Sequence, residues 1–254
     1  LAARTPHSTA QALRGPDSQY WLASVLKDYR MLREKGCFKN VTTVKPPGPS
    51  PPPCEQRFKI KYTGREEVSL AGLDPKAWKA RTIARGDRFK YGVHYDATSA
   101  PVVIVAALKM MLAWGVQKGL RPYQFDETSA FYGNDVDKQG IMVRLPVGYD
   151  PHSDGLRALD APPIYAELAK SVPGMPQGSL VHYDGMVPML ERHGFVRTNV
   201  DPSLFVHPTR DEAIAMHVDD GFLFCADDRR AQELLGETGM GKTRVLTWGP
   251  LDEH

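Results

Sequence analysis

Cysteine is scarce in this chain. Its 254 residues include 3 cysteines, Cys37, Cys54 and Cys225. The number is odd and no C-x-x-C spacing occurs, which argues against a disulfide scaffold and for free thiols in a reducing compartment. The 8 histidines show no H-x-x-x-H or Cys/His spacing, so a zinc site lacks its usual ligand set. Long hydrophobic runs are missing too. The most apolar stretch, residues 100–116, is broken by Lys109 and too short to span a bilayer. No cleavable leader is legible at the N-terminus, so a soluble, intracellular protein is expected, cytoplasmic or nuclear. Neither sign of charge dominates: 32 Lys and Arg face 30 Asp and Glu. Any basic surface must therefore come from local clustering. There is no internal repeat. The chain is long enough to bury one core or two close ones.

Local patterns sketch the elements. Trp21, Leu22, Val25, Leu26, Tyr29 and Leu32 recur at helical spacing, predicting an amphipathic helix over residues 13–35. Residues 44–53 carry six prolines, which excludes helix or central strand and predicts an extended linker or exposed loop. Residues 58–62 alternate with period two and read as a strand, with residues 78–86 as its partner carrying basic side chains on one face. Residues 103–119 are the best helix candidate, with Gly119 as its stop. Residues 120–126 form a short strand that delivers Asp126 at its end, and residues 185–194 and 229–235 read as further helices. This order of strands and helices predicts an α+β fold, with an antiparallel sheet and helices packed on one face.

The most telling stretch is residues 213–226, where Asp219 and Asp220 divide two apolar runs. The runs read as buried strands, and Asp219, Asp220 and Gly221 as the turn of a β-hairpin. Adjacent carboxylates repel, and holding them against a core is costly unless a cation neutralises them. Hard oxygen ligands at a rigid tip suit Mg²⁺, which takes one or two protein carboxylates plus substrate phosphates. A solvated Asp-Asp-Gly turn is the alternative.

Five colinear stretches carry a resemblance. Residues 78–86, WKARTIARG, resemble K-A-R-L-V-A-x-G. Residues 91–102, YGVHYDATSAPV, resemble G-x-D-Y-x-E-T-F-A-P-V. Residues 124–134, QFDETSAFYGN, resemble L-D-V-K-T-A-F-L-N-G. Residues 194–205 resemble G-F-x-x-x-x-x-D-P-S-L-F, and His217-Val218-Asp219-Asp220 stands in place of Y-V-D-D. These are the motifs of reverse transcriptases of copia-type long-terminal-repeat retrotransposons, which this chain resembles over nearly its whole length.

The resemblance implies a right-hand polymerase with an N-terminal helix and Pro-rich linker over residues 1–57, fingers over 58–122 and palm with an inserted fingers segment over 123–254. It implies RNA-directed DNA synthesis from deoxynucleoside triphosphates on an RNA or DNA template-primer, with two Mg²⁺ ions, or Mn²⁺, and no membrane. Asp126 and Asp219 would be the principal metal ligands and Asp220 a supporting one. Phe131 would be the steric gate under the incoming sugar. Lys79 and Arg81 would cover the triphosphate, and Gln177 would touch the nucleotide or template base. A thumb, a ribonuclease H domain and an integrase region would belong to the same polyprotein outside residues 1–254.

Three features depart from the family pattern. His217 and Pro173 stand where the family has tyrosines, and Pro176 where it has a lysine. A catalytically inactive remnant that at most binds nucleic acid is the alternative function. A further pattern competes on paper: residues 236–243, GETGMGKT, match the phosphate-loop motif G-x-x-x-x-G-K-T of nucleotide triphosphatases. That motif works only between a strand and a helix, and here it follows a stretch that reads as helix.

Overall fold

A computed structural model describes residues 5–61, 77–236, 239–242 and 246–251. Tyr62, at the end of the expected strand, and Glu237, Thr238 and Thr243 of the phosphate-loop match lie outside the described residues. The chain folds as two compact units, one built from residues 1–96 and 135–176, the other from residues 97–134 and 177–254. Among the described residues no helix is long and apolar enough to cross a membrane.

In the first unit the expected N-terminal helix is two helices, α1 (Thr9–Arg14) and α2 (Ser18–Glu34). Gly15 and Pro16 break the run, and Ser8 caps α1 by accepting from the Gln11 amide. Strands β2 (Cys54–Ile60) and β3 (Trp78–Ala84) pair antiparallel as expected, with β2 starting four residues before the expected strand. Their inner faces carry Ile60 and Trp78, which pack with Trp21 and Ala12. Trp78 stacks on Tyr20 at 5.1 Å and meets Trp21 edge-on at 4.7 Å. A second sheet orders β1 (Phe38–Thr42), β6 (Tyr165–Leu168) and β5 (Met142–Arg144) as β1-β6-β5. Of the Pro-rich stretch, residues 47–50 are exposed as expected, but Pro51 and Pro52 are buried. There the Pro52 carbonyl accepts from Arg144 and the Pro53 carbonyl from Arg85.

A buried carboxylate ties α2 to the β2–β3 hairpin. Asp28 Oδ2 accepts from Gln56 Nε2 at 2.8 Å, from the Thr82 amide at 2.9 Å and from Thr82 Oγ1 at 2.6 Å. These bonds favour the charged form, yet burial outweighs them and pushes the Asp28 pKa up. The folded state therefore holds this proton to higher pH than the unfolded chain does. The Asp28 contribution to stability is greatest below the unfolded carboxylate range and declines as pH rises through the raised folded value. Urea unfolding across a pH series should show that decline, and Asp28→Asn should flatten it. An identical slope in the variant would assign it to another group.

The second unit is a six-stranded antiparallel sheet in the order β11-β4-β10-β9-β8-β7. Its strands are β4 (Arg121–Glu127), β7 (Val196–Arg197), β8 (Leu204–Val206), β9 (Ala213–His217), β10 (Asp220–Cys225) and β11 (Leu246–Pro250). Pro122 is tolerated within β4 because β11 pairs only with residues 123–127, so no neighbour needs its missing amide on that side. Helix α3 (Val105–Lys118) ends at Gly119 as its sequence predicts. Helix α4 spans Gly178–Arg192, starting seven residues earlier than expected and running through Pro188. The buried Val181, His182, Tyr183, Met186, Met189 and Leu190 hold it in place, so tertiary packing overrides proline's cost. Helix α5 (Asp228–Leu235) is capped by Asp227, whose carboxylate accepts from the Arg230 amide at 2.8 Å.

The expectation of helices on one face of the sheet is corrected. Ile214, Met216 and Leu223 pack with Met186, Met189, Leu190, Leu234 and Leu235 of α4 and α5. Ala213, Ala215 and Phe224 pack with Ala107 and Met111 of α3 on the opposite face. Both faces are covered, which is why residues 213–216 are apolar without alternation.

Candidate nucleic-acid synthesis site

The antiparallel register of β4 with β10 places Asp126 directly opposite Asp220, and the register of β10 with β9 places Asp220 opposite His217. The turn between β9 and β10 is therefore Val218–Asp219, one residue earlier than expected. Asp220 and Gly221 lie inside β10. Gly221 is required there by a side chain: a Cβ at this position would lie 2.3 Å from Phe125 Cζ, since the buried Phe125 ring crosses the strand. The tight turn forces Val218 to φ 59, a left-handed conformation that costs a β-branched residue on the order of 1–3 kcal/mol. The Asp219 carbonyl accepts from the Glu127 amide at 3.0 Å, so the turn is fastened to the end of β4 that carries Asp126.

Asp126 and Asp220 are both exposed and share one face of the sheet. Burial pushes the Asp220 pKa up, the carboxyl of Asp126 within hydrogen-bonding reach adds to this, and the charges of Asp219 and Asp126 add further; His217 opposes them. This mutual repulsion is what a divalent cation would relieve. Among the described residues no three His, Cys, Asp or Glu side chains are gathered as a metal-holding group. The donor set at the tip is thus a facing carboxylate pair with Asp219 beside it. Such a set fits Mg²⁺ or Mn²⁺ that draws its remaining ligands from water and substrate phosphates.

Phe131 lies in a single 3₁₀ turn, Ala130–Gly133, just after β4, with its ring half-buried and tilted against His182 at 6.4 Å between centroids. Gln177 precedes α4, and its side chain is fully buried at 0% exposure. In this conformation it offers no surface to a nucleotide. Lys79 and Arg81 belong to the other unit. They project from the exposed face of β3, directly across from Lys59 and Arg57 of β2. Like charges facing one another are unfavourable by themselves. Partial burial lowers the Lys79 pKa, and neighbouring Lys61, Arg81 and Lys27 lower it further. A face under this strain suits phosphate. Arg57 and Lys59 escape a motif search, although the alternation of residues 57–61 could have flagged them.

The phosphate-loop match has a structural explanation among its described residues. It follows helix α5, whereas such a loop needs a preceding strand. The chain folds back on the end of that helix: a Cβ at Gly239 would lie 2.3 Å from the Glu233 and Leu234 carbonyls, and one at Gly241 2.7 Å from that of Leu235. These glycines permit close backbone packing.

Residues 62–237 match the family described as reverse transcriptase (RNA-dependent DNA polymerase). Similar proteins include the retrovirus-related Pol polyprotein from transposon TNT 1-94 of Nicotiana tabacum, 22% identical over 92% of this chain and 17% of that polyprotein. The corresponding polyproteins from transposons RE2 and RE1 of Arabidopsis thaliana are 26% and 27% identical over 68% and 56% of this chain, covering 11% and 9% of their own lengths. The chain therefore spans less than a fifth of each of these relatives. The retrotransposon resemblance carried by the sequence motifs is borne out, and the chain belongs to the reverse transcriptase (RNA-dependent DNA polymerase) family.

Proposed function

We propose that this chain is the fingers and palm of a retrotransposon reverse transcriptase, performing RNA- and DNA-templated DNA synthesis. The second unit, with its antiparallel sheet and carboxylate tip, is the palm, and the first, with its basic hairpin, contributes the fingers. The observation that carries this reading is the register of Asp126 against Asp220 beside a two-residue turn holding Asp219. Bound there, a pair of divalent ions would activate the primer 3′-hydroxyl and neutralise charge on the departing pyrophosphate. Asp126 and Asp219 are assigned as the principal ligands and Asp220 as the supporting one. The Phe131 ring excludes a 2′-hydroxyl. Lys79 and Arg81 grip the triphosphate, Arg81 through paired donors. Gln177 is assigned to the nucleotide- or template-facing segment before α4, a role that requires its side chain to become uncovered.

Primer extension on RNA and DNA templates with Mg²⁺, comparing wild type with Asp219→Asn, tests the reading. Extension lost in the variant supports it, and extension by neither protein opposes it. Arg81→Ala should raise the KM for deoxynucleotide about tenfold with little change in kcat, as expected for lost ground-state binding. A fall in kcat alone would remove Arg81 from the triphosphate. The absence of a three-residue metal-holding group among the described residues favours a second reading, a non-catalytic nucleic-acid-binding remnant. Template-primer binding without extension would select it.

A further inference from the structure

A buried polar chain runs behind the proposed site. Glu127, immediately after Asp126, is 5% exposed, and the alternation of β4 turns it to the face opposite Asp126. There Glu127 Oε2 lies 3.8 Å from Nε2 of His182, a residue of α4 that is 1% exposed. On the other side of the ring, Asn134 Nδ2 donates to the Ala130 carbonyl at 2.9 Å and lies 3.3 Å from His182 Nδ1. With the Asn134 amide group as donor, Nδ1 is the acceptor. A neutral ring then carries its proton on Nε2, on the edge that faces the Glu127 carboxylate at 3.8 Å, a separation longer than a hydrogen bond. The His182 ring is therefore flanked on both edges, by Asn134 within hydrogen-bonding reach and by the Glu127 carboxylate at 3.8 Å, and its flank meets the half-buried ring of Phe131.

Both flanking residues lie on segments that bear proposed site residues. Glu127 ends the strand of Asp126, and its amide holds the Asp219 carbonyl. Ala130 and Asn134 bracket the turn of Phe131. Where this chain has Glu127, the motif resembled by residues 124–134 has valine, an apolar side chain that could not face an imidazole edge in this way. Burying a carboxylate beside an imidazole is expensive unless both are held by partners, so a purely structural core would be served better by apolar residues.

We infer that His182, set between Glu127 and Asn134, is a positioning residue that fixes the Phe131 ring and so sets discrimination between deoxyribo- and ribonucleotides. The inference rests on the polymerase reading. Removing the imidazole leaves space behind Phe131, the ring relaxes into it, and the room denied to a 2′-hydroxyl opens.

The test is single-nucleotide incorporation on a template-primer, with kcat/KM measured for a deoxynucleoside triphosphate and its ribo counterpart. His182→Ala should lower the deoxy-to-ribo ratio about tenfold, chiefly through a lower KM for the ribonucleotide, since small misplacements of positioning groups have effects of this size or larger. In a Phe131→Ala background, whose ratio has already collapsed, adding His182→Ala should change it no further, because the two residues act as one unit. His182→Phe, which keeps a ring but loses both polar neighbours, should give a ratio between those of His182→Ala and the wild type. Glu127→Gln, close in volume, should lower the ratio in the same direction, and thermal unfolding checks that each variant is folded. A ratio within twofold of wild type in folded His182→Ala and Glu127→Gln overturns the inference while leaving the polymerase reading standing. A further fall on adding His182→Ala to Phe131→Ala also overturns it. Wild-type protein that incorporates neither nucleotide overturns the polymerase reading and the inference with it.

Discussion

Asp126→Asn is expected to lower templated nucleotide incorporation by about a thousandfold, and Asp220→Asn, at the supporting ligand, by less, both leaving the fold intact. Asparagine preserves the shape of each side chain and removes its charge. The stabilisation lost with a metal ion is worth several kcal/mol, and ~4 kcal/mol corresponds to a factor of about a thousand in rate. The same changes should not destabilise the protein. The two carboxyls face one another across β4 and β10, and their repulsion, with that of Asp219, contributes to the raised Asp220 pKa. Metal-free Asp220→Asn should therefore unfold at the same or a higher temperature than wild type. Primer extension and thermal unfolding on the same preparations separate the two effects. Lost activity accompanied by a lower unfolding temperature would mean that the pair is structural.

Gly221→Ala should destabilise the protein by about 3 kcal/mol, the upper part of the range for overpacking a well-packed core, and lower the unfolding temperature by roughly 6–12 °C. A Cβ at residue 221 would lie 2.3–2.9 Å from three carbons of the Phe125 ring. That ring is 1% exposed, with Tyr123, Met216 and Leu223 in the same core, so it has little freedom to yield. The effect on activity should be secondary, since Asp220 and the turn precede the clash. If Gly221 served only the turn, a loss of a few tenths of a kcal/mol would be seen instead. Calorimetry of the variant decides between these outcomes.

The strands and helices with one strong period were legible in the sequence. Residues 105–118 recur as a helix demands, residues 78–84 alternate less cleanly but pair as a strand, and Asp227 caps α5 where acidic residues announce a helix start. The proposed carboxylates stand out because Asp219 and Asp220 interrupt an apolar run, and motif order supplied Asp126. The turn was misplaced by one residue because Gly221 signals a turn, whereas here a distant ring, Phe125, excludes a side chain. That contact has a sequence separation of nearly a hundred residues and leaves no local trace. The start of α4 was missed for a similar reason: Gly178 reads as a breaker, and only the burial of Val181, His182 and Tyr183 carries the helix back to it. The Glu127–His182–Asn134 chain was invisible as an arrangement. Its one signal was a carboxylate at a strand position whose neighbours in parity, Tyr123 and Phe125, belong to the core.

A paramagnetic titration with Mn²⁺ tests the central claim most directly. Wild-type protein and the Asp126→Asn/Asp220→Asn double variant are titrated with and without deoxynucleoside triphosphate and template-primer. The wild type should bind Mn²⁺, more tightly with the triphosphate present, and Mg²⁺ should compete. The double variant, left with Asp219 alone at the tip, should bind Mn²⁺ far more weakly. Equal Mn²⁺ affinity in the two proteins would contradict a metal site at the carboxylate tip of β4 and β10.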